Sequence, residues 1–131
     1  MVEHDSFKIR FTVIIQSGEL ERQALLLAAT AAKYLSKPHE LVCVFNSTQS
    51  LGKLLSETSD LLESLGSPII GHVTHEFLQR FPHRLTSSFM GKPGAMEVSA
   101  KLTDADRVCI MDTDTLFTRP FTLTEDWRAP S

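Results

Sequence analysis

Asp112 and Asp114, two carboxylates separated by one residue, are the side chains of this sequence best suited to chemistry. They follow the apolar run 108–111, whose lack of polar interruption is typical of a strand buried on both faces. Because successive side chains of a strand point to opposite faces, carboxylates two residues apart are expected on one side. A cation between them relieves their repulsion, and hard oxygen ligands favour Mg²⁺ or Mn²⁺. The spacing therefore predicts a divalent-metal site at the end of this strand.

Cationic residues upstream of this run could add an anion site. Lys92 precedes Pro93, which suits the first position of a helix, and the free N–H groups of a helix start attract phosphate. Gly94 after Pro93 is also compatible with a simple turn. Arg80 and Arg84 are interpreted as surface charges. A metal and a cationic helix start around one crevice would describe a nucleotide-diphosphate site.

The spacing of apolar residues predicts the elements that position these groups. Strands are predicted at residues 7–16, 40–46 and 68–73 and in a run ending at Asp112; helices are predicted from Gly18 to Lys37, over 51–65 and from Lys92. This alternation predicts one α/β domain over residues 1–131, Rossmann-like, with a mainly parallel sheet and helices on both faces. Ligands of such sheets bind beyond the carboxyl ends of the strands. Gln16, Asn46 and Asp112 are therefore expected to share one crevice.

Composition excludes several classes of function. A net charge of −3 argues against a general nucleic-acid binder. The longest apolar stretch, residues 24–32, is too short to span a bilayer, and the acidic N-terminus does not resemble a signal peptide. Cys43 and Cys109 are interpreted as small buried hydrophobic residues in a reducing compartment, which predicts a cytoplasmic protein.

Residues 108–120 resemble the D-x-D segment of nucleotide-diphospho-sugar glycosyltransferases with the GT-A fold. In these enzymes an apolar strand precedes Asp-x-Asp-Thr-Leu, and an Arg-Pro pair follows, as Arg119-Pro120 does here. Lys92, a short helix and the Asp-x-Asp-Arg of residues 104–107 resemble the pattern of family 8 enzymes, which include glycogenin and galactinol-synthase-like transferases, and of related bacterial transferases.

The resemblance implies roles for individual residues. Asp112 and Asp114 would bind Mn²⁺ or Mg²⁺, and Asp112 would also contact the donor ribose. Lys92 would contact the phosphate or sugar of a nucleotide-diphospho-sugar donor. The nucleoside pocket would be lined by residues at the ends of the first two strands: Ile15, Gln16 and Asn46.

The resemblance covers only the donor-binding part of such enzymes. Their domains continue past the D-x-D motif into acceptor-binding strands and a late histidine that completes the metal shell, whereas the last histidine here, His83, precedes the motif. We therefore expect the N-terminal part of a longer, truncated GT-A domain, with an unknown acceptor and no assignable catalytic residue. Sheet edges left exposed in this way would favour a homo-oligomer.

Two other functions are compatible with the motif. Haloacid-dehalogenase-like phosphatases also use Asp-x-Asp at a strand end, with a nucleophilic first aspartate. Their motif normally has Thr or Val two residues after the second Asp, where this chain has Leu116, and it belongs to an early strand. A non-catalytic nucleotide-sugar-binding or interaction domain is the other alternative. A glycosyltransferase is the preferred hypothesis, because the residues around the motif favour it.

Overall fold

The computed structural model describes residues 7–46, 56–73, 96–99, 101–102 and 104–121. The elements follow in the order β1 (Ile9–Ile15), α1 (Glu19–Tyr34), β2 (Glu40–Asn46), α2 (Ser56–Ser64), β3 (Ile69–Val73) and β4 (Arg107–Met111). Residues 96–99 are also helical. Lys92, Arg80 and Arg84 lie outside the described residues. Within these ranges, no helix is both long enough and apolar enough to cross a membrane.

The four strands of the described residues form one sheet in the order β3-β2-β1-β4, and every neighbouring pair is parallel. The chain winds from β1 through α1, β2 and α2 to β3, and β4 then pairs with the other side of β1. The strand order therefore reverses between β1 and β4. The predicted Rossmann-like α/β fold is confirmed.

Helix α1 covers one face of the sheet. It begins after Gly18, whose φ of 101° is a conformation that favours glycine, and the Gly18 N–H donates to the Glu21 carboxylate at 2.9 Å. The apolar side of α1 packs with alternate residues of the sheet in a core formed by Ile9, Phe11, Val13, Ile15, Ala24, Leu27, Ala28, Ala31, Leu41, Cys43, Phe45 and Leu62. Leu62 belongs to α2, so α1 and α2 lie on the same face.

The helical residues 96–99 cover the opposite face. Val98 packs against the core pair Val44 and Val73, and the hydroxyls of Thr12 and Ser99 are 2.9 Å apart. The approach is close at Gly71, where an added Cβ would lie 2.5 Å from Cγ1 of Val98. Helical residues on both faces confirm the predicted layers.

Strand β4 differs from the prediction in burial and in length. It is the edge strand of the described sheet, and Val108 to Met111 are half-buried. The expected burial on both faces is therefore only partial: Cys109 and Met111 pack toward α1 and Ile110 packs on the opposite face. An apolar run cannot distinguish a central strand from an edge strand that is partly covered. The strand also ends at Met111, one residue earlier than predicted.

The two cysteines lie in strands, as predicted, and both are free thiols. Burial raises the pKa of the Cys43 thiol to about 12. Cys109 is only half-buried, and burial raises the pKa of its thiol as well. Both side chains pack as hydrophobic groups in the core beneath α1.

Candidate functional site

The candidate site lies at the carboxyl edge of the sheet. Ile15 pairs with Phe45, and Val13 pairs with Met111, so β1, β2 and β4 end at the same side of the domain. Gln16, Asn46 and Asp112 are consequently placed along this edge. The reversal of strand order between β1 and β4 is the position where open α/β sheets bind ligands.

The two aspartates lie in a tight turn, which we call the acidic turn (residues 112–115). The carbonyl oxygen of Asp112 accepts hydrogen bonds from the Thr115 N–H at 3.2 Å and from the Thr115 hydroxyl at 2.5 Å. Asp112 and Asp114 are both exposed. Because the backbone has left the strand, the strict alternation assumed for a strand does not apply to this pair. The turn nonetheless presents two accessible carboxyl groups beside the end of β1.

The residues predicted to line a nucleoside pocket differ in accessibility. Ile15 exposes none of its surface and belongs to the core beneath α1, and Asn46 exposes only 1%. Gln16 is half-buried and is the member of this group that offers surface at the edge. Lys92 lies outside the described residues.

The start of α1 is fixed to α2 beside this edge. Oε1 of Glu21 accepts a hydrogen bond of 2.5 Å from the Thr58 hydroxyl, while Oε2 accepts the Gly18 N–H. Both Glu21 and Thr58 are buried. A groove of about 520 Å³ runs between the two helix starts, lined in part by Ser17 and Arg22. Through Glu21, the turn that follows β1 is therefore linked to both α1 and α2.

The carboxylate oxygens of the acidic turn are chemically suited to bind a hard divalent cation. Asp112 and Asp114 supply carboxylate oxygens, the ligands that Mg²⁺ and Mn²⁺ prefer. Within the described ranges, no three His, Cys, Asp or Glu side chains are grouped closely enough to hold a metal ion. Two carboxylates suit a cation that is shared with substrate phosphates and water better than one enclosed by protein ligands.

The open, all-parallel sheet with helices on both faces defines a Rossmann-like α/β domain. Domains of this class generally bind ligands beyond the carboxyl ends of their strands, at the position where the strand order reverses. Residues 11–131 match the Rhodobacterales glycosyltransferase domain, and the chain belongs to this family. A search of curated proteins found no match. The match includes the acidic turn and favours a transferase over a phosphatase. A glycosyltransferase requires a sugar donor and an acceptor.

Proposed function

We propose that this chain binds a nucleotide-diphospho-sugar donor through a divalent cation at the acidic turn, as the donor-binding part of a GT-A glycosyltransferase similar to family 8. The observation that carries the proposal is the position of Asp112 and Asp114. In a member of a glycosyltransferase family, two exposed carboxylates follow the strand at which the sheet order reverses.

Mn²⁺ or Mg²⁺ would be held by Asp112 and Asp114, and when bound it supplies a Lewis acid that neutralises charge on the leaving diphosphate. The aspartates orient the donor by fixing where its phosphates bind. Gln16 offers polar groups to the nucleoside, while Ile15 and Asn46 support the edge from within the fold. In this proposal, the positively charged side chain of Lys92 contacts the phosphates or the sugar of the donor.

The proposal is tested by thermal unfolding with UDP-, GDP- and ADP-sugars, each with Mn²⁺ or with EDTA. A ligand that binds only the folded state raises Tm, by about 5–10 °C at roughly a hundredfold excess over Kd. We expect one donor class to raise Tm only with Mn²⁺. Asp112→Asn should abolish this shift, because an amide is a much weaker ligand for a hard cation than a carboxylate.

Asp60→Asn is the matched control, since Asp60 is an exposed aspartate on α2. It should keep the full Mn²⁺-dependent shift. Equal shifts in the Asp112→Asn variant, or in EDTA, would reject the metal-bound donor. Donor hydrolysis, measured as release of the nucleoside diphosphate, separates a transferase from a binding module, because a module would bind without turnover.

A further inference from the structure

The acidic turn is attached to helix α1 by a side-chain hydrogen bond. Thr113, the middle residue of the D-x-D motif, lies 2.8 Å from Gln23, measured between Oγ1 and Oε1. Gln23 is exposed and Thr113 is half-buried. Asp112 and Asp114 flank Thr113 directly, so a restraint on Thr113 acts on the backbone that carries both carboxyl groups.

From Thr113 the chain runs along the same helix, through the rest of the acidic turn and past it, and we call residues 113–121 the return segment. Oγ1 of Thr30 accepts the Phe117 N–H at 3.0 Å, and the Tyr34 carbonyl accepts the Phe121 N–H at 3.1 Å. Gln23 lies two helical turns before Thr30, on the same side of α1. Among the described residues, the Gln23 contact is thus the nearest to the aspartates of these hydrogen bonds between the return segment and α1.

The rings of this segment add apolar contacts below the turn. Phe117 and Phe121 each meet Phe11 edge to face, with ring centroids 5.4 Å apart. These contacts fix the return segment against β1 and α1. Gln23 contacts the acidic turn itself and therefore lies nearer to the proposed cation site than these rings do.

We propose that Gln23 is a positioning residue, which orders the acidic turn for cation binding through its hydrogen bond to Thr113. This inference rests on the proposed function, since it concerns the same cation site. Residues that hold metal ligands in place raise metal affinity, because the ligands then lose less conformational freedom when the ion binds. Gln23 does not contact the cation in this scheme and is not a catalytic residue.

The test uses two substitutions that remove the hydrogen bond with little change in volume, Gln23→Leu and Thr113→Val. Mn²⁺ affinity is measured from the EPR signal of free hexaaqua Mn²⁺, with UDP, GDP or ADP present. Each variant should weaken Mn²⁺ binding about three- to tenfold, the effect of one net hydrogen bond. The double variant should be no weaker than either single one, because both remove the same contact.

Thr113→Ser keeps the hydroxyl and should restore wild-type affinity, which a loss of general packing would not explain. Thr118→Val changes an exposed threonine of the return segment and serves as the matched control. Tm without metal should stay close to wild type in all variants, since the contact is exposed.

Two outcomes would overturn the inference in distinguishable ways. If wild type shows nucleotide-dependent Mn²⁺ binding that Asp112→Asn abolishes, while Gln23→Leu binds as wild type does, the positioning role is wrong and the proposed function stands. If wild type itself binds no Mn²⁺ with any nucleotide, the proposed function and the inference fall together.

Discussion

Gly71 allows the helical residues 96–99 to lie directly on the sheet. A Cβ at this position would stand 2.5 Å from Cγ1 of Val98, a β-branched side chain with little rotamer freedom. We predict that Gly71→Ala lowers the free energy of unfolding by about 1–3 kcal/mol through overpacking. Urea unfolding of Gly71→Ala, Val98→Ala and the double variant measures this. In the Val98→Ala background, Gly71→Ala should lower the free energy of unfolding by less than it does in wild type. Additive effects of the two substitutions would contradict the close approach.

For individual residues, the sequence indicated Asp112 and Asp114 as candidates for chemistry, and their metal-binding role stays a prediction. The sequence placed them at the end of a strand, whereas the structure places them in the acidic turn that follows it. The hydrogen bond between Gln23 and Thr113 was not predictable, because it joins residues 90 positions apart and no local pattern pairs them. The burial of Arg10 was not predictable either, because it depends on ion-pair partners that only the tertiary fold brings close.

Among the elements, α1 packs on the sheet and also contacts α2 and the return segment. Thr30 joins α1 to the return segment, since its hydroxyl donates to the Leu27 carbonyl within the helix at 2.8 Å and accepts the Phe117 N–H. We predict that Thr30→Val destabilises the fold by about 1 kcal/mol, because the half-buried Phe117 N–H loses its acceptor.

Thr30→Ser keeps the acceptor and should remain near wild type in the same denaturant titration. Hydrogen exchange gives a local measurement, in which the Phe117 amide should exchange faster in Thr30→Val than in Thr30→Ser. Equal exchange rates in the two variants would show that the hydroxyl does not hold the return segment.

Element boundaries followed from the sequence where periodicity was strong. The bounds of β2 were predicted to the residue, and α1 was predicted within three residues at each end, because apolar spacing and Gly18 mark them. The end of β4 was predicted within one residue, although its cause was not. Thr113 and Thr115 have high strand propensity, yet the Thr115 hydrogen bonds to Asp112 close a turn instead.

For the whole molecule, the two ends of the sheet carry different chemistry. The acidic turn lies at the carboxyl end, and an ion-pair cluster lies at the amino end. Arg10, only 2% exposed, donates to Glu40 at 2.6 Å, to the Leu102 carbonyl at 3.1 Å and to Asp104. Lys8 also donates to Asp104 at 2.8 Å. This cluster attaches the segment before β4 to the start of β1.

The cluster predicts a loss of stability in acid. Hydrogen bonds from Arg10 and then Lys8 hold the pKa of the Asp104 carboxyl well below its usual range. A carboxyl with a lowered folded-state pKa stabilises the fold above its unfolded pKa, roughly 3.9, and this contribution is lost as pH falls below it. Asp104→Asn should therefore be less stable than wild type at pH 7. The gap, meaning the difference between their free energies of unfolding, should be smaller at pH 3. Urea titrations at both pH values measure the gap, with Asp60→Asn as control; a constant gap would contradict the assignment.

The architecture as a whole was predictable because alternating elements allow few topologies. Parallel pairing and helical cover on both faces followed from that alternation. The position of β4 beside β1 did not follow from any local pattern, and it determines which strand ends meet at the candidate site.

That placement also has a consequence for how the chain is made. Ile9 pairs with Arg107, so one side of the first strand waits for a partner that emerges late in synthesis, while β2 can pair with the other side much sooner. Pairing β4 with β1 closes a much longer loop than pairing β2 with β1, and it therefore costs more conformational entropy. Folding on the ribosome is therefore expected to complete β1–α1–β2 first, and the acidic turn takes shape only when β4 pairs with β1.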